Sequence, residues 1–493
     1  MKHAGVAMRA SPSALLSVAQ MNEADRAATA HGTPGPLLMQ NAGEAVAQEI
    51  IRRWPLRPVT VLCGPGNNGG DGFVVAVVLA QSGWPVRVAL VGDRENLRGD
   101  ARVHALRWGG AIEPVTPAAI VGAGLVVDAL FGSGLSRRLD SQLADTLAAV
   151  AAHVPMIAVD IPSGVFGDSG ESMGATAAQC TVTFARKKPG HVLLPGKDLC
   201  GAIVVADIGF PPGVLESIAI DTWENDPGLW RAALPRAQIA GNKYTRGHAL
   251  LYGGYPMTGA ARMAARAAAR MGAGLTSIAV PQIAFPVYAA TLTSIMVQPL
   301  AQDEDWSRLL LDARYSAFLI GPGAGVNDGT RHRALELLAT ARPVLLDADA
   351  ISVFAAKTDE LAQAIRGACV ITPHDGEFAR IFQVKGDKLA RARGAARQSG
   401  AIVVLKGADT VIAAPDGRAV VNTNAPASLA TAGSGDVLGG MILGLLAQGM
   451  DAFWASAAAV WIHGAAAGVF GPGLLAEDLP DLLPAVLRQL DIP

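Results

Sequence analysis

An α/β protein of two domains, each a mostly parallel sheet wound with helices, is the fold class this sequence predicts. Three observations lead there. The chain has 493 residues, more than one ordinary core can serve. Short apolar runs alternate with helix-length segments in both halves, the pattern of βα units. Several of those runs end in glycine, serine, asparagine or aspartate, and open parallel sheets gather their functional groups at such ends.

Composition narrows the function. Apolar residues make up 51 % and charged residues 17 %, a globular and well-buried balance. A net charge of −2 offers no global field for nucleic acid or an anionic membrane, so small-molecule partners are expected. Cys63, Cys180, Cys200 and Cys369 are far apart and form no CxxC pair; a reduced, cytoplasmic setting is expected. The apolar run after Lys2 and Arg9 is short and broken, which argues against a signal peptide. Trp454 to Phe470 is Ala/Gly-rich and holds His463. It is expected to be a buried helix, not a membrane span, and apolar helices of this kind could pack between copies in a homo-oligomer.

Residues 1 to about 13 read as a loose extension. Ala14 to Ala30 and Leu37 to Arg53 have helical spacing, the first with Gln20, Asn22, Glu23 and Asp25 clustered. Val59–Cys63 reads as a buried strand, and Gly64 to Gly72 as the loop opening the next helix. Further strand-like runs are Val86–Val91, Leu125–Leu130, Met156–Asp160 and Ile203–Ile208.

Gly64, Gly66 and Gly69 satisfy GxGxxG, which invites a dinucleotide-binding reading. The loop also carries Asn67, Asn68 and Asp71, where a pyrophosphate would need bare backbone, so other chemistry is expected. Asp128 to Arg138 and Asp160 to Gly164 end two more strands. Asn68, Asp128 and Ser163 offer oxygens for a hard cation. Gly132, Ser133 and Gly134 with Arg137 and Arg138 suit a phosphate-bearing substrate, and Asp160 an acid/base role. The rival reading is three strand-end turns with capping side chains. As a bare charge run, Arg186 to Gly190 more often reads as a solvated turn.

Leu16 to Asp25, Asn41-Ala42-Gly43, the Asn67–Gly72 loop, the Asp128 stretch and Asp160–Gly164 resemble, in order, the NAD(P)H-hydrate epimerase (YjeF N-terminal) family. The resemblance implies a Rossmann-like domain over 14–220, a bound potassium ion, and interconversion of the R and S hydrates of NADH and NADPH. Carried over residue by residue, it makes Asn67, Asn68, Gly69, Gly70, Asp71, Gly132, Ser133, Gly134, Leu135, Ser136, Arg137, Arg138 and Asp160 substrate contacts. It makes Asn68, Asp128 and Ser163 potassium ligands, and it faces Arg186 to Gly190, which also resembles the family, to substrate phosphates.

Pro211 to Gly241 is irregular, and a domain boundary is expected near 220–235. Beyond it, strands are expected at His248–Tyr252, Leu275–Val280, Phe318–Ile320, Val344–Leu346, Val370–Ile371 and Val403–Leu405, with a helix over Thr258 to Met271. No short-period repeat relates the halves. Lys406 to Thr410 offers a cation, a flexible turn and a hydroxyl; a nucleotide-phosphate site and a plain β-turn both fit. His374 lies on the strand crest. Ala432 to Gly440 bends at Gly433 and Gly435 before a long apolar helix, Val437 to Leu446, so its amides should face one point. Asp436 would repel a phosphate held there unless it serves as a base for a hydroxyl about to meet that phosphate. The rival is a glycine turn capped by Ser434.

Gly321-Pro322-Gly323, Thr372-Pro373-His374, Lys406–Thr410 and Ala432–Gly440 resemble, in order, the ribokinase-like superfamily. Within it, Tyr255 to Ala261 and Thr372 to Glu377 resemble the NAD(P)H-hydrate dehydratase (YjeF C-terminal) family, with Tyr255 and Met257 departing from its pattern. The resemblance implies a ribokinase-like domain over 235–490 that dehydrates the S hydrate to NAD(P)H with magnesium and ADP, releasing AMP and phosphate. It makes Ala260, Gly323, His374 and Asp436 hydrate-binding positions, and Lys406, Gly407, Ala408, Asp409, Thr410 and Gly435 the nucleotide site. Asp436 and Asp160 are the expected catalytic groups. The rivals are a ribokinase-like small-molecule or vitamin kinase, and a non-catalytic N-terminal binding module.

Overall fold

The computed structural model describes residues 11–490. Lys2, Arg9 and most of the expected N-terminal extension lie outside the described residues. The chain divides into two compact units between Trp223 and Glu224.

The first unit is a seven-stranded, wholly parallel sheet in the order β3-β2-β1-β4-β5-β6-β7. Its strands are β1 (Val59–Cys63), β2 (Val86–Leu90), β3 (Ile112–Pro114), β4 (Leu125–Ala129), β5 (Met156–Val159), β6 (Cys180–Phe184) and β7 (Ala202–Ala206). Neither β3 nor β6 was expected; β3 is only three residues long and half polar, and β6 alternates threonine with apolar residues yet is buried throughout. Strand order reverses between β1 and β4, which opens a crevice above their carboxyl ends. Helix α1 (Val18–Ala30) starts at a Ser17/Gln20 capping box. Helix α2 (Gly35–Arg53) follows, and α3 (Asn67–Gln81) begins inside the glycine loop. A side chain at Gly64 would overlap the Leu130 carbonyl, so glycine lets the loops after β1 and β4 touch.

A short strand, β8 (Thr222–Glu224), carries the chain into the second unit. There the strands are β9 (His248–Tyr252), β10 (Leu275–Pro281), β11 (Met296–Leu300), β12 (Ala317–Ile320), β13 (Val344–Leu346), β14 (Cys369–Ile371), β15 (Ile402–Leu405), β16 (Val411–Ala413) and β17 (Ala419–Val421). They run in the order β11-β10-β9-β12-β13-β14-β15-β16-β17, parallel up to β15 and antiparallel from β15 to β17. Helix α4 (Gly259–Arg270) buries an alanine face, and α6 (Ser434–Ala447) is buried along nearly its whole length; α5 (Asp375–Ile381) lies between them in the chain. A side chain at Gly440 would strike the Ala264 carbonyl, so the α4 and α6 backbones nearly touch. Helix α7 (Ala452–Phe470) has the length and apolarity of a membrane span, but 67 % of its apolar window is buried inside the unit.

Candidate active sites

In the first unit, the carboxyl ends of β1, β4, β5 and β6 surround a cavity of about 780 Å³. Asn67, Asn68, Asp71, Gly132 to Arg137 and Asp160 line it, as do Asp25 and Lys188. Gly69 and Gly70 do not. A side chain at Gly69 would meet the Gly64 carbonyl, and one at Gly70 would meet the Met39 sulfur, so these two glycines pack α3. Arg138 is exposed and outside the lining.

Asp160 follows β5 with φ 65°, a left-handed backbone that a non-glycine residue adopts at a cost. That turn aims its carboxylate into the cavity, where every oxygen is engaged. Lys188 Nζ donates to Oδ1 at 2.7 Å, Thr183 Oγ1 to the same oxygen at 3.0 Å, and the Ser133 amide to Oδ2 at 2.8 Å. Burial alone would raise this carboxyl, but the Lys188 charge and these bonds outweigh it and hold it well below the usual range. Asp160 is therefore a fixed anion. His191 Nε2 donates to the Asp160 carbonyl at 2.7 Å, and its Nδ1 accepts from the Lys188 amide at 2.9 Å. Burial first, then Lys188, push His191 down to about 4, so it is neutral and serves as a brace.

The Arg186–Gly190 run is not a solvated turn: Lys188 is 1 % exposed. A bare charged run gives no sign of this, because only the pairing of β6 beside β5 decides which lysine turns inward.

Asp128 is fully buried. Ser163 Oγ donates to Oδ1 at 2.6 Å and the Ser163 amide to Oδ2 at 2.8 Å. Burial raises its carboxyl despite these bonds. Asn68 lies against Gly132 and Asp160, and its Nδ2 has no partner among the described residues. Carboxylate, hydroxyl and amide oxygens are the hard donors a hard cation takes, whereas the orphaned Asn68 nitrogen is a hydrogen-bond donor and would face an acceptor, not the ion.

In the second unit the glycine loop forms the start of α6. Gly433 is its N-cap with φ 91° and no side-chain cap, so the capping role weighed for Ser434 is not the structure's: Ser434 is the first helical residue. The Gly435 and Asp436 amides, in the first turn, have no partner among the described residues. Lys406 reaches this turn: a side chain at Gly435 would lie 3.4 Å from Nζ. The same ammonium is 3.0 Å from Asp347 Oδ1 and 3.9 Å from Glu377 Oε2. Asp347, 1 % exposed, also accepts from Thr372 Oγ1 at 2.7 Å.

Burial raises Asp436 to about 7. Asp347 adds to that, Lys406 opposes it, and Asp349 and Glu377 add more. A carboxyl near neutrality beside unpaired helix-start amides can accept a proton from a bound hydroxyl. Sequence reading passed over Asp347 and Glu377, which belong to strand-end stretches it did recognise; their signal was a carboxylate beside each turn.

The remaining residues divide. Gly323 packs against the Met257 carbonyl, and Gly254 against Gly323, which joins the loops near Ala260 into one rim. His374 caps α5, its Nδ1 accepting from the Gly376 and Glu377 amides at 3.0 and 3.3 Å. Thr410 Oγ1 donates to the Gly407 carbonyl at 2.7 Å, and Asp409 pairs with Lys388 at 2.5 Å. Lys406 to Thr410 is thus the β15–β16 hairpin turn, with Lys406 alone of its polar side chains reaching Asp347. No group of three or more His, Cys, Asp or Glu among the described residues could hold a metal ion unaided.

Two families match the chain: residues 36–190 match the YjeF-related protein N-terminus, and residues 249–483 match NAD(P)H-hydrate dehydratase. A curated relative from Moorella thermoacetica, a bifunctional NAD(P)H-hydrate repair enzyme, is 37 % identical over 97 % of each chain. A solved ribokinase-like superfamily protein from Enterococcus faecalis covers 55 % of this chain and 98 % of its own, at TM-score 0.50 and 23 % identity, a likeness of fold. The Bacillus subtilis ADP/ATP-dependent NAD(P)H-hydrate dehydratase, co-crystallised with ATP/Mg2+, covers 54 % of this chain and 98 % of its own, at 32 % identity and TM-score 0.48.

Proposed function

This chain belongs to the bifunctional NAD(P)H-hydrate repair family, and on that premise we propose that it repairs hydrated NADH and NADPH in two steps. Residues 14–220 interconvert the R and S hydrates. Residues 235–490 return the S hydrate to NAD(P)H with ADP, giving AMP and phosphate. Small-molecule and nucleotide binding accords with the absence of strong net charge, and four free, buried cysteines accord with a reduced cytoplasm.

The observation that carries the proposal is Asp436, raised to about 7 at the start of α6 beside Lys406. Its carboxylate takes the proton from the hydroxyl of the hydrate. The oxygen pair attacks the terminal phosphorus of ADP, and the bond to the bridging oxygen breaks with its electrons on AMP. The neighbouring ring carbon then gives a proton to solvent, its electron pair forms the double bond, and the carbon–oxygen bond breaks with its electrons on the departing phosphate. The Gly435 and Asp436 amides and Lys406 meet the charge that develops on phosphate. Magnesium, which usually joins one or two carboxylates to phosphates, would neutralise that charge, held mainly by the nucleotide's own phosphates, since no cluster of three carboxylates among the described residues could hold it. Ala260, Gly323 and His374 rim the hydrate, and Gly407 to Thr410 flank the nucleotide.

In the first unit, Asn67, Asn68, Asp71, Gly132 to Arg137 and Asp160 surround the hydrated nicotinamide nucleotide. Asn68, Asp128 and Ser163 would hold potassium, which would fix the β4 and β5 loops and balance their charge.

The test incubates purified protein with NADH hydrate, with and without ADP. Expected are a return of dihydronicotinamide absorbance and one inorganic phosphate per turnover. A stable phosphorylated product would instead establish the small-molecule kinase.

A further inference from the structure

We propose that Asp25 is the group that moves the proton during epimerisation, while Asp160 acts as a fixed anion. The proposal rests on the epimerase reading of the first unit and assigns a catalytic residue within it.

The face of α1 that carries Met21, Asn22, Asp25 and Thr29 lines the same cavity as Asp160 and Asn68. This is one helical stripe, three and four residues apart. Of the four carboxylates that line that cavity, Asp25, Asp71, Asp100 and Asp160, Asp25 and Asp160 are held differently. Asp160 accepts from Lys188, Thr183 and the Ser133 amide, so protonating it breaks a buried ion pair. The Asp25 carboxyl has no hydrogen-bond partner among the described residues. The groups that face it are Lys188, Asp160 and Asp71, with Arg26 on its own helix also lining the cavity. Burial, opposed by Lys188 and aided by Asp160, sets Asp25 at about 6. Asp71, deeper still, is raised well above the usual range by burial and then by Asp160.

The reaction needs one mobile proton. The reacting carbon bears both the hydroxyl and a bond to the ring nitrogen. The Asp25 carboxylate takes the hydroxyl proton; the oxygen pair forms a carbonyl, and the carbon–nitrogen bond breaks with its electrons on nitrogen. Asp25 returns the proton to that nitrogen. Rotation about the adjacent carbon–carbon bond presents the other face. The nitrogen gives its proton back to Asp25 and its pair closes on the carbonyl carbon, and the oxygen recovers the proton. Nothing is consumed, and one carboxyl serves both directions.

The test follows the epimer ratio by chromatography, starting from separated R hydrate of NADH without ADP, in full-length protein from pH 5 to 8. For Asp25→Asn, kcat is expected to fall by about 10²–10⁴-fold with KM little changed, and the acidic limb near pH 6 to vanish from the residual rate. Asp25→Glu is expected to recover part of the rate and restore the limb. Retention of kcat by Asp25→Asn within about threefold overturns the proposal. So does a loss that appears in KM with the pH profile unmoved, or a loss that Asp25→Glu does not relieve. Wild-type protein that leaves the epimers unchanged overturns the epimerase reading itself.

Discussion

Lys188 Nζ lies 2.7 Å from Asp160 Oδ1, with side chains 2 % and 12 % exposed. Each charge makes the other tolerable away from water. Removing one strands its partner, at a cost of about 3–5 kcal/mol. Lys188→Met should therefore lower the unfolding temperature of the first unit in calorimetry and abolish epimer exchange. The double change Lys188→Met with Asp160→Leu should recover most of the stability and none of the activity. A single variant as stable as wild type would mean the pair carries no such burden.

Asp436 sets the pH dependence of the second unit. Its working form is the carboxylate, and its pKa is about 7. Below that value kcat/KM for dehydration should fall about tenfold per pH unit. The sign for stability is opposite in consequence. The folded state holds this proton more tightly than the unfolded chain, whose value is near 3.8, so its stabilisation is complete below about pH 4 and is lost as pH rises through 7. Asp436→Asn should abolish dehydration, leave epimerisation intact, and raise the melting temperature of the second unit at pH 8.

The α4–α6 contact admits no side chain at Gly440, where a Cβ would strike the Ala264 carbonyl. Gly440→Val should cost about 1–3 kcal/mol or more. It should also impair dehydration by moving the start of α6, where Asp436 sits. Denaturant unfolding with dehydratase kinetics checks both effects.

The two sites should separate by ion. Exchange of potassium for lithium should slow epimerisation and spare dehydration, because Asn68, Asp128 and Ser163 lie in the first unit. EDTA should stop dehydration and spare epimerisation. Loss of both activities in both treatments would contradict two independent ion sites.

Much of the fold was legible because period and punctuation suffice for it. The apolar runs that became β1, β2, β4 and β5 end in turn residues, and the helices start near Ser17, Gly35 and Thr258. The strands β3 and β6 were not legible, since three residues of Ile112–Pro114 and the alternating Cys180–Phe184 carry no buried-strand pattern of their own. Among candidate site residues, Asp436 and Asp160 stood out because a carboxylate in a glycine-rich or strand-end turn is electrostatically odd. Asp25 did not, because a charged residue on a helix face has solvent as its default surroundings, and Lys188 did so only through family resemblance, since a basic run has the same default.

The order of elements, the glycine-bent loops and the residue types at strand ends belong to the sequence, since local backbone preference and hydrophobic period act over a few neighbouring residues. The state of each carboxyl belongs to the tertiary structure. Asp160 is anchored by Thr183 and Lys188 from a different part of the sheet, and Asp436 is tuned by Asp347, Glu377 and Lys406 from three other segments of the chain. A proton's affinity depends on burial and on charges a few ångströms away, and only the folded chain decides which charges those are.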